Sequence, residues 1–370
     1  MSPAAVRIAG HRGPASGHWL LLIFSVAALA ADAPPRAAPT RPALPALNSP
    51  RTLTPLPVTR IGDIEYVSAP DVAKRLGLTL TWIEPGKKLT LTDASNRIAL
   101  EADNRDTRVN GLRVFLGHPT RTRGGQVFLS RIDAERVLSP LVRPGLGATL
   151  PAAPKIIAID PGHGGKDDGT ESKALGLKEK TLTLDVAQRL KKLLEAAGYK
   201  VVLTRTDDHE LAERKDVDLP LRADVANRAH ADLFISIHFN AAAKDTQGTE
   251  VFWLSPRTQR STDSWGTGED DSVAEELPGN RFDHWNLSFT AALHRELLQT
   301  LKTEDRGLKM AHWAVLRTLK CPGVLVEPVI LSNDAEARRA AKPEFRQQVA
   351  EALAAGVKNY VATLDALRPK

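Results

Sequence analysis

The feature that most constrains this chain is a regular alternation of apolar and amphipathic segments after residue 154. Short apolar runs, typical of buried strands, stand at residues 155–159, 200–204, 232–237, 249–253 and 323–326. Apolar residues spaced three and four apart predict helices at residues 180–197, 220–230, 287–302 and 343–364. This alternation predicts an α/β domain over residues 155–368, with a mostly parallel sheet flanked by helices.

A smaller module is expected before this domain, at residues 58–148. A strand followed by a short helix is predicted twice, and further strands lie between the two copies, so the module is expected to be α+β. The segment from Gly62 to Trp82 contains G-x-x-x-Y-V-S-x-x-D-V-A-K-x-L-G and T-W, and on these residues it resembles the copper amine oxidase N-terminal-like domain. His118 stands alone and is interpreted as a loop histidine, so no metal site is predicted in this module. The expected role of the module is that of a spacer or a wall-targeting element.

The first thirty residues have the three parts of a secretory signal peptide. Arg7 and Arg12 lie in a basic start, an apolar run covers residues 19–30, and Ala28 and Ala30 form a small-residue cleavage pattern. The run is too short to span a bilayer comfortably, although an uncleaved anchor is the alternative. Residues 31–57 are rich in Pro and Ala and are predicted to be a linker. A secreted or periplasmic protein with no membrane span after cleavage is expected.

Charge and cysteine content exclude several classes of protein. The chain carries a net charge of +6, which becomes +4 when Arg7 and Arg12 leave with the first thirty residues. This weak excess does not fit a nucleic-acid-binding protein. Cys321 is the single cysteine, so a disulfide framework, a multi-cysteine metal cluster and a lipoprotein anchor are all excluded.

Three ionisable residues stand where predicted strands end. His163 follows the strand at 155–159, His238 follows the strand at 232–237, and Glu327 follows the strand at 323–326. Ligands of open α/β sheets bind at the carboxyl ends of the strands, so these side chains are expected to converge.

Glu179 is the fourth candidate because it lies on the apolar stripe of the helix that follows it. A carboxylate that points inward is costly unless it is paired or holds a metal. The alternative is that Glu179 lies in a frayed first turn and favours the helix dipole. Two histidines and one glutamate form the ligand set of a catalytic zinc site, and Glu327 could act as the acid/base. The residues alone leave both interpretations open.

The C-terminal half strongly resembles the zinc-dependent N-acetylmuramoyl-L-alanine amidases. The matching segments occur in the family's order and are I-A-I-D-P-G-H-G-G (157–165), E-K (179–180), L-R-A-D-V-A-N (221–227), S-I-H-F-N-A (236–241), G-T-E-V-F (248–252), D-R-G-L-K (305–309), V-L-R (315–317) and P-G-V-L-V-E-P-V-I-L-S-N (322–333). The resemblance implies Zn²⁺ on His163, Glu179 and His238, with Glu327 as the catalytic acid/base.

The same resemblance implies a reaction and partners. The expected substrate is peptidoglycan, cut between the lactyl group of N-acetylmuramic acid and the L-alanine of the stem peptide. Arg222, Asn227 and Asn240 match family positions near the site, where they would either contact substrate or support the fold. Pro328 and the residues after it depart from the family's pattern of a small residue, Gly and Phe, so the rim of the site is expected to differ. An envelope activator protein is left open as a partner.

Residues 255–285 interrupt the strand–helix alternation. Some family members carry an autoinhibitory helix here, and an acidic residue of that helix covers the zinc. Gly266, Gly268 and Pro278 disfavour a long helix in this chain. The segment is therefore either a gate over the site or a disordered surface loop.

Two other functions of the protein also remain open: a different wall hydrolase, such as a peptidase or deacetylase, and a non-catalytic wall-binding protein.

Overall fold

Strands and helices alternate through residues 155–369, as the apolar pattern predicts; these residues contain the candidate catalytic residues and are called the catalytic half. The computed structural model describes residues 54–369, so the signal-peptide prediction and most of the linker prediction lie outside the described residues. The described part contains these strands: β1 (Thr59–Ile61), β2 (Ile64–Ser68), β3 (Thr79–Glu84), β4 (Lys88–Thr92), β5 (Arg97–Glu101), β6 (Asp106–Val109), β7 (Leu112–Phe115), β8 (Arg121–Arg123), β9 (Gln126–Ser130), β10 (Ile156–Pro161), β11 (Glu171–Ser172), β12 (Leu177–Lys178), β13 (Lys200–Leu203), β14 (Leu233–Ile237), β15 (Thr249–Leu254), β16 (Asp305–Ala311) and β17 (Gly323–Glu327).

The helices of the described part range from single turns to a long C-terminal helix. They are α1 (Ala69–Leu76), α2 (Ser139–Val142), α3 (Glu179–Ala196), α4 (Lys215–Arg228), α5 (Ser264–Thr267), α6 (Asp283–Leu301), α7 (Ala314–Arg317), α8 (Asp334–Ala340) and α9 (Pro343–Leu367). A π-helical turn at Asp133–Leu138 leads into α2, and a 3-10 turn at Pro278–Phe282 leads into α6. No helix among residues 54–369 combines the length and apolar character needed to cross a bilayer.

One eleven-stranded sheet runs through the described chain in the order β13-β10-β14-β17-β15-β16-β7-β6-β5-β4-β3. The pairs β13–β10, β10–β14, β14–β17 and β15–β16 are parallel. Strand β15 runs antiparallel to β17, and β3 to β7 form an antiparallel meander. The sheet is therefore mixed, and the expectation of a mostly parallel sheet is not confirmed.

The reversal at β15 has a simple cause in the chain that precedes it. No helix lies between β14 and β15, because residues 238–248 are a loop. A strand can return parallel only after a crossover that carries the chain back to the opposite edge. Without one, β15 starts at the edge where β14 ended and runs against its neighbour β17.

Helices cover both faces of the strands in the catalytic half, and each face has its own hydrophobic core. One core lies under α3, α6 and α9 and contains Val186, Leu190, Phe289 and Leu353. The other lies under α4 and α7 and includes Ala223, Val315 and Leu316. Helix α4 begins five residues before the predicted start, because Pro220 lies inside the helix instead of opening it.

The N-terminal module shares a hydrophobic core with the catalytic half. Strand β7 pairs parallel with β16, and Val114 lies opposite Leu308. The module's apolar side chains form one buried cluster with Trp253, Leu287, Ala291, Leu308 and Met310 of the catalytic half. At the same junction, the Asp305 carboxylate accepts hydrogen bonds from the Arg113 backbone N–H at 2.8 Å and pairs with His294 at 2.7 Å.

Residues 255–285 are folded against this junction, contrary to the disordered-loop interpretation. The Thr262 backbone N–H donates to the Met310 carbonyl at 2.7 Å, which ties the segment to β16. Trp265 lies under the Arg105 guanidinium of the module, with 4.4 Å from Cζ to the ring centre. Arg136 of the module donates to Asp283 at 2.6 Å. The segment therefore connects the module to the catalytic half.

Candidate active site

Four predicted site residues line one cavity of about 250 Å³ at the sheet edge. His163 follows β10, His238 follows β14, Glu327 is the last residue of β17, and Glu179 is the first residue of α3. Because β10, β14 and β17 are parallel neighbours, their carboxyl ends lie side by side.

One carboxylate oxygen lies between the two histidine rings. Glu179 Oε1 is 3.0 Å from His163 Nε2 and 3.0 Å from His238 Nδ1. The ligand atoms that these three residues offer all lie within 4.8 Å of one another. Two imidazole nitrogens and a carboxylate oxygen are the donors that suit a divalent transition metal such as zinc.

Glu179 is buried and held in place, not frayed at the helix start. Its Oε2 accepts a hydrogen bond from the Thr170 backbone N–H at 2.7 Å, and its Oε1 accepts from the Phe239 N–H at 2.9 Å. Burial alone would raise the pKa of Glu179, but hydrogen bonds with His163 and His238 hold that pKa well below its ordinary value. The carboxylate is therefore in the charged form that a metal ligand needs.

The backbone around the three residues is shaped to bring them together. His163 has φ of 63°, in the left-handed region that non-glycine residues rarely adopt. Gly169 has φ of 68°, and a Cβ on it would stand 2.6 Å from His163 Cδ2 and 2.7 Å from Glu179 Oε2. A side chain at position 169 would therefore displace the donor groups, which explains why this loop needs glycine.

Asp167 forms an outer layer behind His163. Its Oδ2 lies 2.9 Å from His163 Nδ1 and 3.0 Å from the Lys215 ammonium. Burial opposes ionisation, yet the contacts with His163 and Lys215 lower the pKa of Asp167 to about 2. A carboxylate on the far nitrogen of a metal-binding imidazole fixes the orientation of the ring, so this layer also fits a metal site.

Glu327 lies in the same cavity and differs electrostatically from Glu179. It is buried, and its Oε2 has no hydrogen-bond partner among residues 54–369. Burial raises the pKa of Glu327 well above its ordinary value, and the carboxylates of Glu179 and Glu250 raise it further. Two carboxyl groups with pKa values pushed apart can serve as a charged ligand and as a proton carrier.

Glu250 stands opposite Glu327 on the neighbouring antiparallel strand. Its buried carboxylate pairs with Lys309 at 2.7 Å and Arg306 at 2.9 Å, and the Asn240 amide also donates to it. Lys309 in turn reaches Asp263 at 2.9 Å. Asn240 thus supports Glu250 from a position that also lines the cavity.

Arg222 is a structural ion-pair residue beneath the cavity. Its guanidinium donates to Asp160 at 3.0 Å, to Asp218 at 2.7 Å and to the His163 carbonyl at 2.9 Å. Asn227 lies elsewhere, where it hydrogen-bonds the backbone of Thr318 and Lys320. Of the three family-matched positions, Arg222 and Asn240 line the cavity, and Asn227 supports a loop.

Changing Asp160 to Asn is expected to destabilise the fold. Asp160 is fully buried and also accepts hydrogen bonds from Thr204 and Ser236. Burial would raise the pKa of Asp160, but Arg222 holds it below its ordinary value. Asp160→Asn leaves the Arg222 charge buried with less compensation, so urea denaturation should show a loss of ~3 kcal/mol. The exposed Asp216–Arg214 pair gives the control, since Asp216→Asn should leave the midpoint nearly unchanged. Equal midpoints for the two variants would contradict this account.

Sequence patterns missed several residues of the site. Asp160, near the end of β10, and Asp167, after the glycine-rich loop, lie on either side of His163 in the sequence, and their charge beside a candidate ligand was the available signal. Glu250 and Lys309 come to Glu327 only through the reversed strand β15 and through β16, which the sequence did not predict as a strand. In the described part of the chain, residues 255–285 contribute no side chain to the cavity lining, which does not favour the gate interpretation.

The fold and the site together define an α/β protein with a candidate metal centre at the carboxyl edge of its sheet. A family model described as N-acetylmuramoyl-L-alanine amidase matches residues 157–359, and one described as copper amine oxidase N-terminal domain matches residues 49–137. Because the first match covers more than half of the chain, this protein belongs to the N-acetylmuramoyl-L-alanine amidase family. The expected membership of the amidase family and the expected copper amine oxidase N-terminal-like domain are both confirmed.

Individual relatives agree with this membership. The chain is 32% identical over 231 residues to the amidase AmiC of Escherichia coli O6:H1, covering 56% of this chain and 53% of the relative. It is 32% identical over 224 residues to the germination-specific amidase of Bacillus subtilis, covering 57% and 82%. It is 26% identical over 317 residues to LytC of Bacillus subtilis, covering 83% and 56%. The chain thus spans about half the length of several curated relatives.

Two solved amidase structures are each similar to more than half of the chain. The catalytic domain of CwlV from Bacillus (Paenibacillus) polymyxa var. colistinus is 28% identical with a TM-score of 0.44, covering 56% of this chain and 98% of that one. An N-acetylmuramoyl-L-alanine amidase from Clostridium difficile 630 is 29% identical with a TM-score of 0.45, covering 57% and 99%.

Proposed function

We propose that this protein is a secreted zinc-dependent amidase that cleaves peptidoglycan between N-acetylmuramic acid and the L-alanine of the stem peptide. The observation that carries the proposal is the convergence of His163, Glu179 and His238 beside Glu327 in one cavity of a chain that belongs to the amidase family. Secretion is supported by the signal-peptide pattern of residues 1–30.

The donor set fits a catalytic zinc site. His163 Nε2, His238 Nδ1 and Glu179 Oε1 would hold the ion, and three protein ligands leave a fourth position for water or substrate. Zinc in such a site lowers the pKa of water toward about 7 and polarises a carbonyl group. Asp167 orients the His163 ring from behind, and Phe239 and Thr170 fix the Glu179 carboxylate through their backbone N–H groups.

Glu327 is the group that moves the proton. Amide hydrolysis requires a base for the attacking water and an acid for the leaving nitrogen, and one carboxyl group can serve in turn. Glu327 lines the cavity, and its Oε2 has no hydrogen-bond partner among residues 54–369, so this oxygen is free to accept the proton of the water and return it to the leaving nitrogen. The departing group is then the amine of L-alanine.

Product analysis separates this function from the alternatives. Digestion of purified peptidoglycan should release stem peptides with a free L-alanine amino terminus, together with intact glycan chains, measured by mass spectrometry. A peptidase would release peptides cut within the stem, and a deacetylase would release acetate. Either result would replace the amidase proposal with another hydrolase. A wall left undigested by the zinc-loaded protein would also contradict the proposal.

Metal binding is expected to depend on the histidines of the site. The wild-type protein should bind one zinc ion per chain, and chelation should abolish wall digestion until zinc is restored. His238→Ala removes a donor, so the loss of zinc affinity should exceed the ~10–100-fold that outer-layer changes cost. His209 is partly exposed and pairs with Asp207, so His209→Ala is the control and should retain zinc. Equal zinc affinity in the two variants, measured by competition with a chromogenic chelator, would refute the assigned ligand set.

A further inference from the structure

One aromatic side chain on the cavity wall takes no part in the metal site. Trp313 lines the cavity with 43% of its surface exposed, which places it among the few large exposed apolar residues of the described chain. The other tryptophans of residues 54–369 are buried or half-buried. Ligand-binding cavities are lined largely by hydrophobic and aromatic side chains, so an exposed aromatic ring on the cavity wall is a candidate substrate contact.

The Trp313 ring is held in position. The Phe252 ring packs edge-on against it, with 5.8 Å between ring centres and 82° between planes. The Trp313 carbonyl accepts a hydrogen bond from the Leu316 N–H at 2.9 Å, which anchors the residue at the start of α7. An aromatic ring fixed from one side and open on another provides a contact surface at low entropic cost.

The cavity is divided by polarity. Trp313, Ala314 and Val315 follow one another along the wall, and Leu219 and Leu325 add to this apolar part. Among the charged lining residues, Asp167 lies 2.9 Å from His163 and 3.0 Å from Lys215. A substrate that fills such a cavity should place a neutral, C–H-rich group on the tryptophan and its charged groups near Lys215 and Asp167.

We propose that Trp313 is the platform for the sugar ring on the glycan side of the scissile amide. This inference rests on the proposed amidase function. A pyranose ring is neutral and presents a face of C–H groups that packs on the indole. The stem peptide, in contrast, carries carboxylate and ammonium groups that match the charged part of the cavity. Trp313 thus selects sugar-linked over sugar-free substrates and takes no part in proton transfer.

Paired substrates test this assignment. The first is N-acetylmuramoyl-tetrapeptide, and the second is the same peptide carrying only a lactoyl group, so that the cleaved bond is identical. Trp313→Ala should raise KM for the first by ~10-fold, the scale of one aromatic contact, with kcat little changed. It should leave kcat/KM for the second unchanged, and Trp313→Phe should recover most of the loss.

Ile83→Ala is the matched control, because Ile83 is an exposed apolar residue of the N-terminal module, with 61% exposure. Equal losses on both substrates would show a peptide contact and overturn the sugar assignment, as would no loss on either. The binding of N-acetylmuramoyl-tetrapeptide is also measured by calorimetry in Glu327→Gln, with and without Trp313→Ala. That titration tests the platform even if the wild-type protein cleaves neither substrate, a result that would defeat the amidase proposal separately.

Discussion

Replacing Glu327 with Gln is expected to lower kcat by about 10²–10⁴ while zinc content stays at the wild-type level. Gln has nearly the shape of Glu but can neither accept the proton of the attacking water nor return it to the leaving nitrogen. Glu327 is not among the three residues whose donor atoms converge, so metal binding should survive. The measurement is the initial rate on N-acetylmuramoyl-tetrapeptide, together with zinc content by atomic emission.

A second buried glutamate provides the control for this substitution. Glu336 is buried with a raised pKa, because burial outweighs the hydrogen bonds that its carboxylate accepts from Gly248 and Ile330. It does not line the cavity. Glu336→Gln should therefore alter stability more than kcat. Full activity in Glu327→Gln would remove Glu327 from the mechanism.

The candidate site could be predicted to a large extent because its residues lie at ends of elements with clear patterns. His163, His238 and Glu327 each follow an apolar run, and three parallel neighbouring strands bring such ends together. Glu179 could be predicted because the helix after it has a continuous apolar stripe. Local pattern and one rule of sheet topology identified these positions as candidates, and the resemblance to the amidase family was needed to choose the metal-site interpretation.

The remaining features depend on pairings between distant segments. Strand β16 contains Arg306, Gly307 and Lys309, so its sequence lacks the apolar run of a buried strand. Lys309 is buried only because Glu250 and Asp263 neutralise it. The union of β7 with β16 joins segments almost two hundred residues apart across a Pro-rich stretch that looked like a domain boundary. No local pattern reports such a contact.

The pairing of β7 with β16 predicts that the N-terminal module is required for the catalytic half to fold. Val114 lies opposite Leu308 inside the shared core, whereas Ile83 is exposed on the module. Val114→Asp places a charge in this core and should cause a large loss of stability in the full chain. Ile83→Asp is the matched control and should melt like the wild type.

Deleting residues 54–148 extends the test from one contact to the whole junction. Trp253, Leu287, Ala291, Leu308 and Met310 would lose the module that buries them. A fully buried apolar side chain contributes ~1.5–3 kcal/mol, and whole domains are stable by only ~5–15 kcal/mol. The free energy lost when these five side chains are exposed is therefore comparable to the whole free energy of unfolding. The remaining chain should aggregate or lose its cooperative melting transition. If it instead melts cooperatively near the wild-type temperature and binds zinc equally well, the module is a separable spacer. Aggregation of the truncated chain, with Val114→Asp unstable and Ile83→Asp normal, would make the module a structural part of the protein's core.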